Sequence, residues 1–542
     1  MDFRMGKNNA IWISAKLLLG LFFFFFFLYP LLLVLSRAVS SGFETFALFI
    51  EVLLKNDFLL WNSFSQAVIS TLFAVLVGLP MAYVLARRDF PGKKVVKSLS
   101  LIPFVFPSIL VVISFVIIFG NNGWINLFLK DFLGFEEHIQ FLYGFSGIIL
   151  AHTFYNFPIV MRFVSNAWEN TDKTMKETAK TLGANKFQVF LNVTLPQLIP
   201  SLAASASLVF IYTFMSFAIV LTLGGLQFST FEVEIYRQIT RNFNFEVGAL
   251  LAFFQFLILS IVGYGYIYFS KKYAIKSSLN TEKPEKLNFN SLKGFFESLI
   301  ILAGIIFIVL PLISLVFFAF FDQKLGEFSL KAFEKIIFPS NVSLLGTTPL
   351  LSIVYSLILA FVSSIVATFF GLIASLKQTR VRFSEVFLSA SVAVSVITLG
   401  LGYWLGFGTG QLWIIAIGHA IFAFPFAFRI INNALSRIDS ESLDAAKTLG
   451  ANELQVFRFV QFPRIKNSLL VSLALSFAVS LGELGLVLLL YDGIYATMPV
   501  YIYRLLTTFD LFAAAAMGVV LISISFLSFY AIEYFSKDES VF

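Results

Sequence analysis

The chain has 542 residues, of which 58% are hydrophobic and only 13% charged, roughly half the charged share of an ordinary soluble domain. That balance excludes a water-soluble globular fold and places the chain in a lipid bilayer. With no cysteine and three histidines (His138, His152 and His419), disulfides and thiolate metal centres are excluded as well. The net charge of +7 does not point to nucleic acid, because the basic residues lie in short loops between apolar spans, where they orient the chain in the membrane.

The first apolar run, from Ile11 to Leu35, follows Arg4 and Lys7. At about 25 residues it exceeds the apolar core of a cleavable leader, so a retained anchor is expected. Its phenylalanines, Phe22 to Phe27, read as lipid-facing filler. Runs long enough to cross about 30 Å of hydrocarbon as helices follow in order. The first six spans are expected at 11–36, 61–86, 97–120, 144–166, 201–224 and 247–270. Six more are expected at 297–321, 350–376, 384–407, 410–431, 468–490 and 511–535. The predicted fold is an all-α integral membrane protein of about 12 transmembrane helices, with both termini on one side.

Arg87, Arg88, Lys93, Lys94 and Lys97 follow the second span, Lys271, Lys272, Lys276, Lys283, Lys286 and Lys293 the sixth, and Lys377, Arg380 and Arg382 the eighth. All fall on the side of the N-terminus, which the positive-inside rule makes cytoplasmic. The loop 120–140 instead carries Asp131, Glu136 and Glu137 against Lys130, so it faces outward.

The sequence is internally duplicated. "AHTFYNFPIVMRFVSNA" (151–167) returns as "GHAIFAFPFAFRIINNA" (418–434), and "IYR" at 235–237 returns at 502–504, at a constant offset of 267 residues. Upstream the offset is 293, pairing Ser63, Ala67, Ser70, Ala74 and Gly78 with Ser356, Ala360, Ser363, Ala367 and Gly371. These small residues form a stripe that lets helices pack closely in lipid. The organisation expected is a first six-helix unit over 1–270, a cytoplasmic linker over 271–296, and a second six-helix unit in parallel orientation over 297–542.

Between spans four and five, and again between spans ten and eleven, the chain carries a mostly polar cassette. "KETAKTLGANKFQVFLNVTLP" (176–196) returns as "LDAAKTLGANELQVFRFVQFP" (443–463). Ten of the twelve positions from Ala179 to Phe190 recur. Thr171 or Asp172 and Ser440 are expected to cap a short helix that ends at Gly183 or Gly450; a second helix then leads to Pro196 or Pro463. Ordinary loops need only solubility, so two matching copies point to a cytoplasmic partner that presents the same groove twice.

At these residues the chain resembles the permeases of ATP-binding-cassette importers. The pattern of an acidic or small residue, alanine, three residues, glycine and a later proline is similar to their EAA loop. Over nearly its whole length the chain resembles the fused binding-protein-dependent permeases for thiamine and for ferric iron. "GNNGWINLFLKDFLG", "GIILAHTFYNFPIVMR" and "LGELGLVLLL" are more similar to the thiamine branch.

The resemblance implies two tandem type I permease units related by pseudo-twofold symmetry in a bacterial inner membrane. It also implies coupling loops at 169–200 and 436–467, with coupling helices that dock on ATPase subunits. Carried over by position, the coupling residues are Glu177, Ala179 and Gly183 in the first half, and Asp444, Ala445, Ala446 and Gly450 in the second. Two ATPase subunits holding ATP and Mg, and a periplasmic or lipoprotein substrate-binding protein contacting outward loops such as 37–60 and 121–143, are the implied partners. This chain would itself bind no cofactor and catalyse no reaction. No G-x-x-x-x-G-K-[ST] phosphate loop occurs in it.

Ionisable residues inside spans are costly and often functional. Glu483, whose counterpart is Ser216, is either a carboxylate that attracts a cation along a substrate path or a partner of a neighbouring helix. His152 and His419 are either a matched proton or metal pair or hydrogen-bonding links between helices. Arg162 and Arg429 read as anchors at the membrane boundary. The rival reading, an ion-coupled secondary transporter, would require intramembrane acids or broken helices at matching places in both halves.

Overall fold

The computed structural model describes residues 2–40, 42–55, 59–100, 102–135, 137–225, 228–272, 282–322, 326–338, 346–376, 394–508 and 510–535. Residues 273–281 of the linker with Lys276, the basic residues Lys377, Arg380 and Arg382, and the beginning of the expected ninth span lie outside the described residues.

In chain order the helices of the first half are α1 (Asp2–Phe23), α2 (Tyr29–Ser40), α3 (Phe43–Lys55), α4 (Leu59–Arg87), α5 (Lys93–Leu99), α6 (Ile102–Val105), α7 (Ser108–Phe119), α8 (Trp124–Leu133), α9 (Phe145–Glu169), α10 (Lys173–Thr181), α11 (Lys186–Val189), α12 (Leu195–Phe214), α13 (Ala218–Leu223), α14 (Phe231–Thr240) and α15 (Phe245–Lys272). The second half follows with α16 (Leu292–Phe320), α17 (Lys331–Ile337), α18 (Pro349–Ser375), α19 (Val396–Phe407), α20 (Leu412–Ser436), α21 (Ser440–Thr448), α22 (Glu453–Val456), α23 (Phe462–Leu481), α24 (Gly485–Leu490), α25 (Met498–Thr507) and α26 (Leu511–Phe535). Among the described residues, 11 helical stretches are long and apolar enough to cross a membrane, as the all-α membrane fold requires.

The expected third span is not one helix. Residues 93–119 fold as α5, α6 and α7, and α7 has only 12 residues, a rise of about 18 Å. Almost all of α7 is buried, from Ile109 to Phe115 without interruption. It is packed against protein on most sides, and with α8 it makes up the apolar stretch Ser108–Leu133, one of the 11 long enough to cross. In the second half α19 is likewise 12 residues long. The loop over 120–140 contains a helix, α8.

The chain forms two compact units that cut across the duplicated sequence. One comprises Ala47–Glu234 and Phe254–Phe318; the other comprises Met1–Phe46, Ile235–Phe253 and Ala319–Phe542. Each half thus gives its leading helix to the compact unit built mainly from the other half, a packing that the sequence boundaries 1–270 and 297–542 do not anticipate.

In the first of these units α4 lies along α9. Ser63, Ala67, Ser70 and Ala74 are buried there. A Cβ on Gly78 would stand 2.8 Å from the Phe157 carbonyl oxygen and 2.9 Å from Val160 Cβ, so only glycine allows this approach. Ile301 and Ile308 of α16 join the core that Val160, Val164 and Trp168 form around α4. A short parallel pairing of Arg88–Asp89 with Glu285–Lys286 fixes the described end of the linker against the same unit.

In the other unit α18 packs on α20, with Gly371 against Ala427 and Phe428. The phenylalanine run of the leading helix is not simply lipid-facing here. Phe22, Phe23 and Phe27 are buried whereas Phe24 and Phe25 are exposed. Phe22 stacks on Phe370 at 3.8 Å between ring centroids, and Phe23 meets Phe424 edge-on. The helix widens into a π-turn over Phe24–Leu28, where Tyr403 donates a hydrogen bond to the Phe26 carbonyl at 2.7 Å.

The stripe serines also do more than pack. Ser63 Oγ accepts the backbone N–H of Phe231 at 3.1 Å, and Ser356 Oγ accepts that of Met498 at 2.7 Å. The matched serines hold the first residues of the matched helices α14 and α25, whose leading N–H groups have no intrahelical acceptor.

Candidate functional site

The two cassettes fold alike. Asp172 caps α10, its Oδ1 accepting from the N–H of Thr174 at 2.7 Å. The helix ends at Gly183, which adopts φ +86, and α21 ends at Gly450 with φ +85. A Cβ at either glycine would meet nothing within 4 Å. The requirement is the left-handed backbone, which side chains with a Cβ rarely adopt. The turn is closed by Ala184 N–H donating to Ala179 O and by Ala451 N–H donating to Ala446 O, both at 3.0 Å.

Ser440 is not the cap of the second helix. Asp439 holds that position, without a side-chain hydrogen bond, and Ser440 is the first helical residue. Beyond the glycine each copy has a capping box, Asn185 with Gln188 and Asn452 with Gln455, every bond 2.9 Å long. The N-x-x-Q spacing spells this box in both copies, and the sequence reading passed over it. The helix that follows is not separate from the next span, as expected, but runs into it through a π-turn, Phe190–Thr194 or Phe457–Gln461. Each knob is thus a short helix folded back on a projecting end of a spanning helix.

Glu177, Asp444 and Ala445 are exposed, and Ala179 and Ala446 are half-buried. Glu177 pairs with Lys173 one turn away at 3.4 Å. At the tip of each knob stands a matched leucine, Leu182 with 82% of its surface exposed and Leu449 with 89%. Met175, Phe187 and Leu454 are exposed beside them.

The first knob is tied down by Lys176 and Glu282, which the sequence reading gave no role, and by Arg87, which it read only as a topology signal. Lys176 donates to Thr171 Oγ1 at 2.9 Å and to Glu282 Oε2 at 3.0 Å. Arg87 pairs with Glu282 and donates to Thr171 Oγ1 at 2.7 Å. Burial draws the Lys176 ammonium below its ordinary pKa against the pull of Glu282. Burial pushes the Glu282 carboxyl upward, but the hydrogen bond from Lys176 and the Arg87 charge outweigh it and hold it below the usual range. Next to this group Arg88 grips Glu297 through two bonds of 2.9 and 3.1 Å and also pairs with Glu285. Arg162 donates to Ser100 Oγ and to the Lys97 carbonyl, both at 3.1 Å, so it braces α9 against the end of α5.

Deeper in each half the structure breaks a span that the sequence reading took as continuous. The apolar run 201–224 is interrupted between Phe214 and Ala218, and the run 468–490 between Leu481 and Gly485. The interruptions coincide at the 267-residue offset. Glu483 lies in the second one. Its carboxylate accepts the N–H groups of Gly485 at 2.7 Å and of Leu486 at 3.1 Å, satisfying donors that the break exposes.

Its other neighbour is His419, whose Nε2 is 3.2 Å from Glu483 Oε2. That is within ion-pair range but lacks hydrogen-bond geometry. His419 Nδ1 also contacts Ser480 Oγ at 2.7 Å. In the first half Ser216 replaces Glu483, and His152 Nδ1 contacts Ser70 Oγ at 3.1 Å. Both histidines link packed helices through a hydroxyl, and among the described residues only His419 also faces a carboxylate.

The family model described as "Binding-protein-dependent transport system inner membrane component" matches residues 74–327 and again 342–540. The chain is 26% identical over 508 residues to the thiamine transport system permease protein of Brucella abortus (strain 2308), covering 91% of this chain and 89% of that protein. It is 24% identical over 495 residues to the protein of the same description in Escherichia coli (strain K12), covering 88% and 89%. Against the ferric transport system permease protein of Actinobacillus pleuropneumoniae it is 25% identical over 548 residues, covering 96% and 77%. With the family unit present twice over most of its length, the chain belongs to the binding-protein-dependent transport system inner membrane components, as a fused type I permease of the ATP-binding-cassette importers.

Proposed function

We propose that this permease forms the translocation path for thiamine, delivered by an external binding protein and driven by two separate ATPase subunits that carry ATP and Mg. The observation that carries the reading is the pair of knobs ending at Gly183 and Gly450. They share one backbone course and present Leu182 and Leu449 alike. A symmetric motor needs two such handles. Closure of the ATPase pair on the knobs, which this reading puts on the cytoplasmic side, would bias the permease halves between inward-open and outward-open states about a pseudo-twofold axis. The substrate-binding protein is assigned the outward loops, including α8, where Phe128, Phe132 and Leu133 are exposed.

The coupling residues Glu177, Ala179, Gly183, Asp444, Ala445, Ala446 and Gly450 belong to these knobs. Glu483 is the proposed path residue: its carboxylate holds the start of α24, with Oε1 accepting from Gly485 and Oε2 from Leu486, and an arriving cation would compete with His419 for Oε2. The substrate rests on the thiamine relatives; ferric iron is the second reading, favoured by the relative that aligns with 96% of the chain. Matched breaks are also what an ion-coupled carrier would display, but the doubled family match assigns them to a permease. Uptake of radiolabelled thiamine and of ferric iron by proteoliposomes holding permease, ATPase and binding protein tests the choice. ATP-dependent accumulation of thiamine alone supports it; accumulation of iron alone replaces it.

A further inference from the structure

The duplicated knobs are not held alike. In the first, Lys176 is buried and bonded to Thr171 and to Glu282, a linker residue 106 positions away. At the corresponding places of the second knob stand Leu443 and Ile438, which offer neither charge nor hydrogen bond. Among the described residues α21 has no buried side chain. The linker is itself anchored at three further points in the same unit. Arg88 grips Glu297 and pairs with Glu285, residues 285–286 pair with 88–89, and Leu287 N–H donates to the Asp89 carbonyl at 3.0 Å. A linker serving only to join two halves needs none of these bonds.

We propose that residues 282–297 form a strap that pins the first coupling helix through the Glu282–Lys176 contact, so that the two ATPase handles are inequivalent. The first handle is fixed by the linker, and the second, held among the described side chains by an exposed 3.3 Å bond from Arg464 to Ser442 Oγ, is ordered by the ATPase. Glu282 and Lys176 are positioning residues: they do not enter the path, but they set the resting place of α10 before a motor binds. The arrangement fits a fused permease, in which the described part of the covalent linker lies against the first knob. The consequence for coupling rests on the reading of α10 and α21 as docking helices; the pinning itself does not.

Amide hydrogen exchange of the full-length permease in lipid nanodiscs, without ATPase, tests the pinning. Residues 173–183 should exchange roughly tenfold more slowly than 440–450, the scale set by charge-assisted hydrogen bonds in a partly buried site. Glu282→Gln and Lys176→Leu should each abolish that difference without altering 440–450. Lys176→Arg, which keeps charge and donors, should preserve it, an outcome that general destabilisation would not give. Equal exchange of the two helices in the unaltered protein, or no response to Glu282→Gln, would overturn the proposal.

In the assembled importer Glu282→Gln should lower the substrate moved per ATP hydrolysed about twofold or more. An unchanged ratio together with lost protection would overturn the inequivalence of the handles while leaving the pinning. Failure of both helices to crosslink to the ATPase would sink the docking reading by itself.

Discussion

His419 and Glu483 meet 3.2 Å apart, beside the three-residue break that divides α23 from α24. Each is engaged elsewhere: His419 Nδ1 meets Ser480, and the Glu483 carboxylate accepts two backbone N–H groups of the next helix. The glutamate therefore has a structural task and a charge to offer, and substitutions can separate them. Glu483→Gln retains an oxygen for the N–H groups and removes the charge; it should fold normally and reduce uptake of a cationic substrate. Glu483→Ala also leaves the N–H groups without an acceptor and should destabilise the local structure by about 1–3 kcal/mol. Thermal unfolding of the purified variants beside their uptake rates distinguishes the two effects, and normal uptake by Glu483→Gln would remove the residue from the path.

Gly183→Pro together with Gly450→Pro should leave membrane insertion intact and stop transport-coupled ATP hydrolysis. Proline fixes φ near −65°, whereas these residues sit at +86 and +85. It also removes N–H groups that now donate to the Lys180 and Lys447 carbonyls at 3.0 and 2.9 Å. The expected local cost is about 1–3 kcal/mol at each site. ATP hydrolysis stimulated by loaded binding protein is the readout, and normal stimulation in the double variant would count against the knobs.

Gly78→Leu and Gly371→Leu should prevent accumulation of folded protein, since even a Cβ at these positions lies 2.8 to 3.0 Å from atoms of the facing helix. Gly20→Leu, on a helix surface where a Cβ meets nothing within 4 Å, should accumulate normally. Fluorescence-detected size exclusion of the variants provides the comparison.

Much of this was legible in sequence. The repeat offset located both knobs, and the small-residue stripe identified the faces of α4 and α18 that pack. The broken spans were not legible, because three residues such as Gly482, Glu483 and Leu484 scarcely change an apolar run. Flanking glycines around an acid, as at Gly482 and Gly485, were the available sign. The third span was placed at 97–120, whereas the apolar helical stretch long enough to cross runs from Ser108 to Leu133, because hydropathy alone does not mark where the helix begins. The exchange of leading helices left no mark on composition: Phe22 pairs with Phe370, far along the chain. The strap was missed for a related reason, since Lys176 and Glu282 are adjacent only after folding.

Acid should release the strap selectively. Glu282 has a carboxyl pKa held below its unfolded value, so its contribution is present above the ordinary glutamate value of about 4.3 and is lost as pH falls through the lower folded value. Exchange protection of residues 173–183 should be constant from about pH 7 to pH 5 after correction for the intrinsic rate, and decline only under stronger acid. Loss of protection near neutral pH would contradict the assignment to Glu282.

The measurement that bears most directly on the whole account is labelling of single cysteines at Lys180 and Lys447, in a chain that has no native cysteine. With a membrane-impermeant maleimide, both positions should react in inverted vesicles and not in intact cells, and each should crosslink to the ATPase in the assembled importer. Reaction of either position from outside intact cells would show that the knobs cannot meet a cytoplasmic motor.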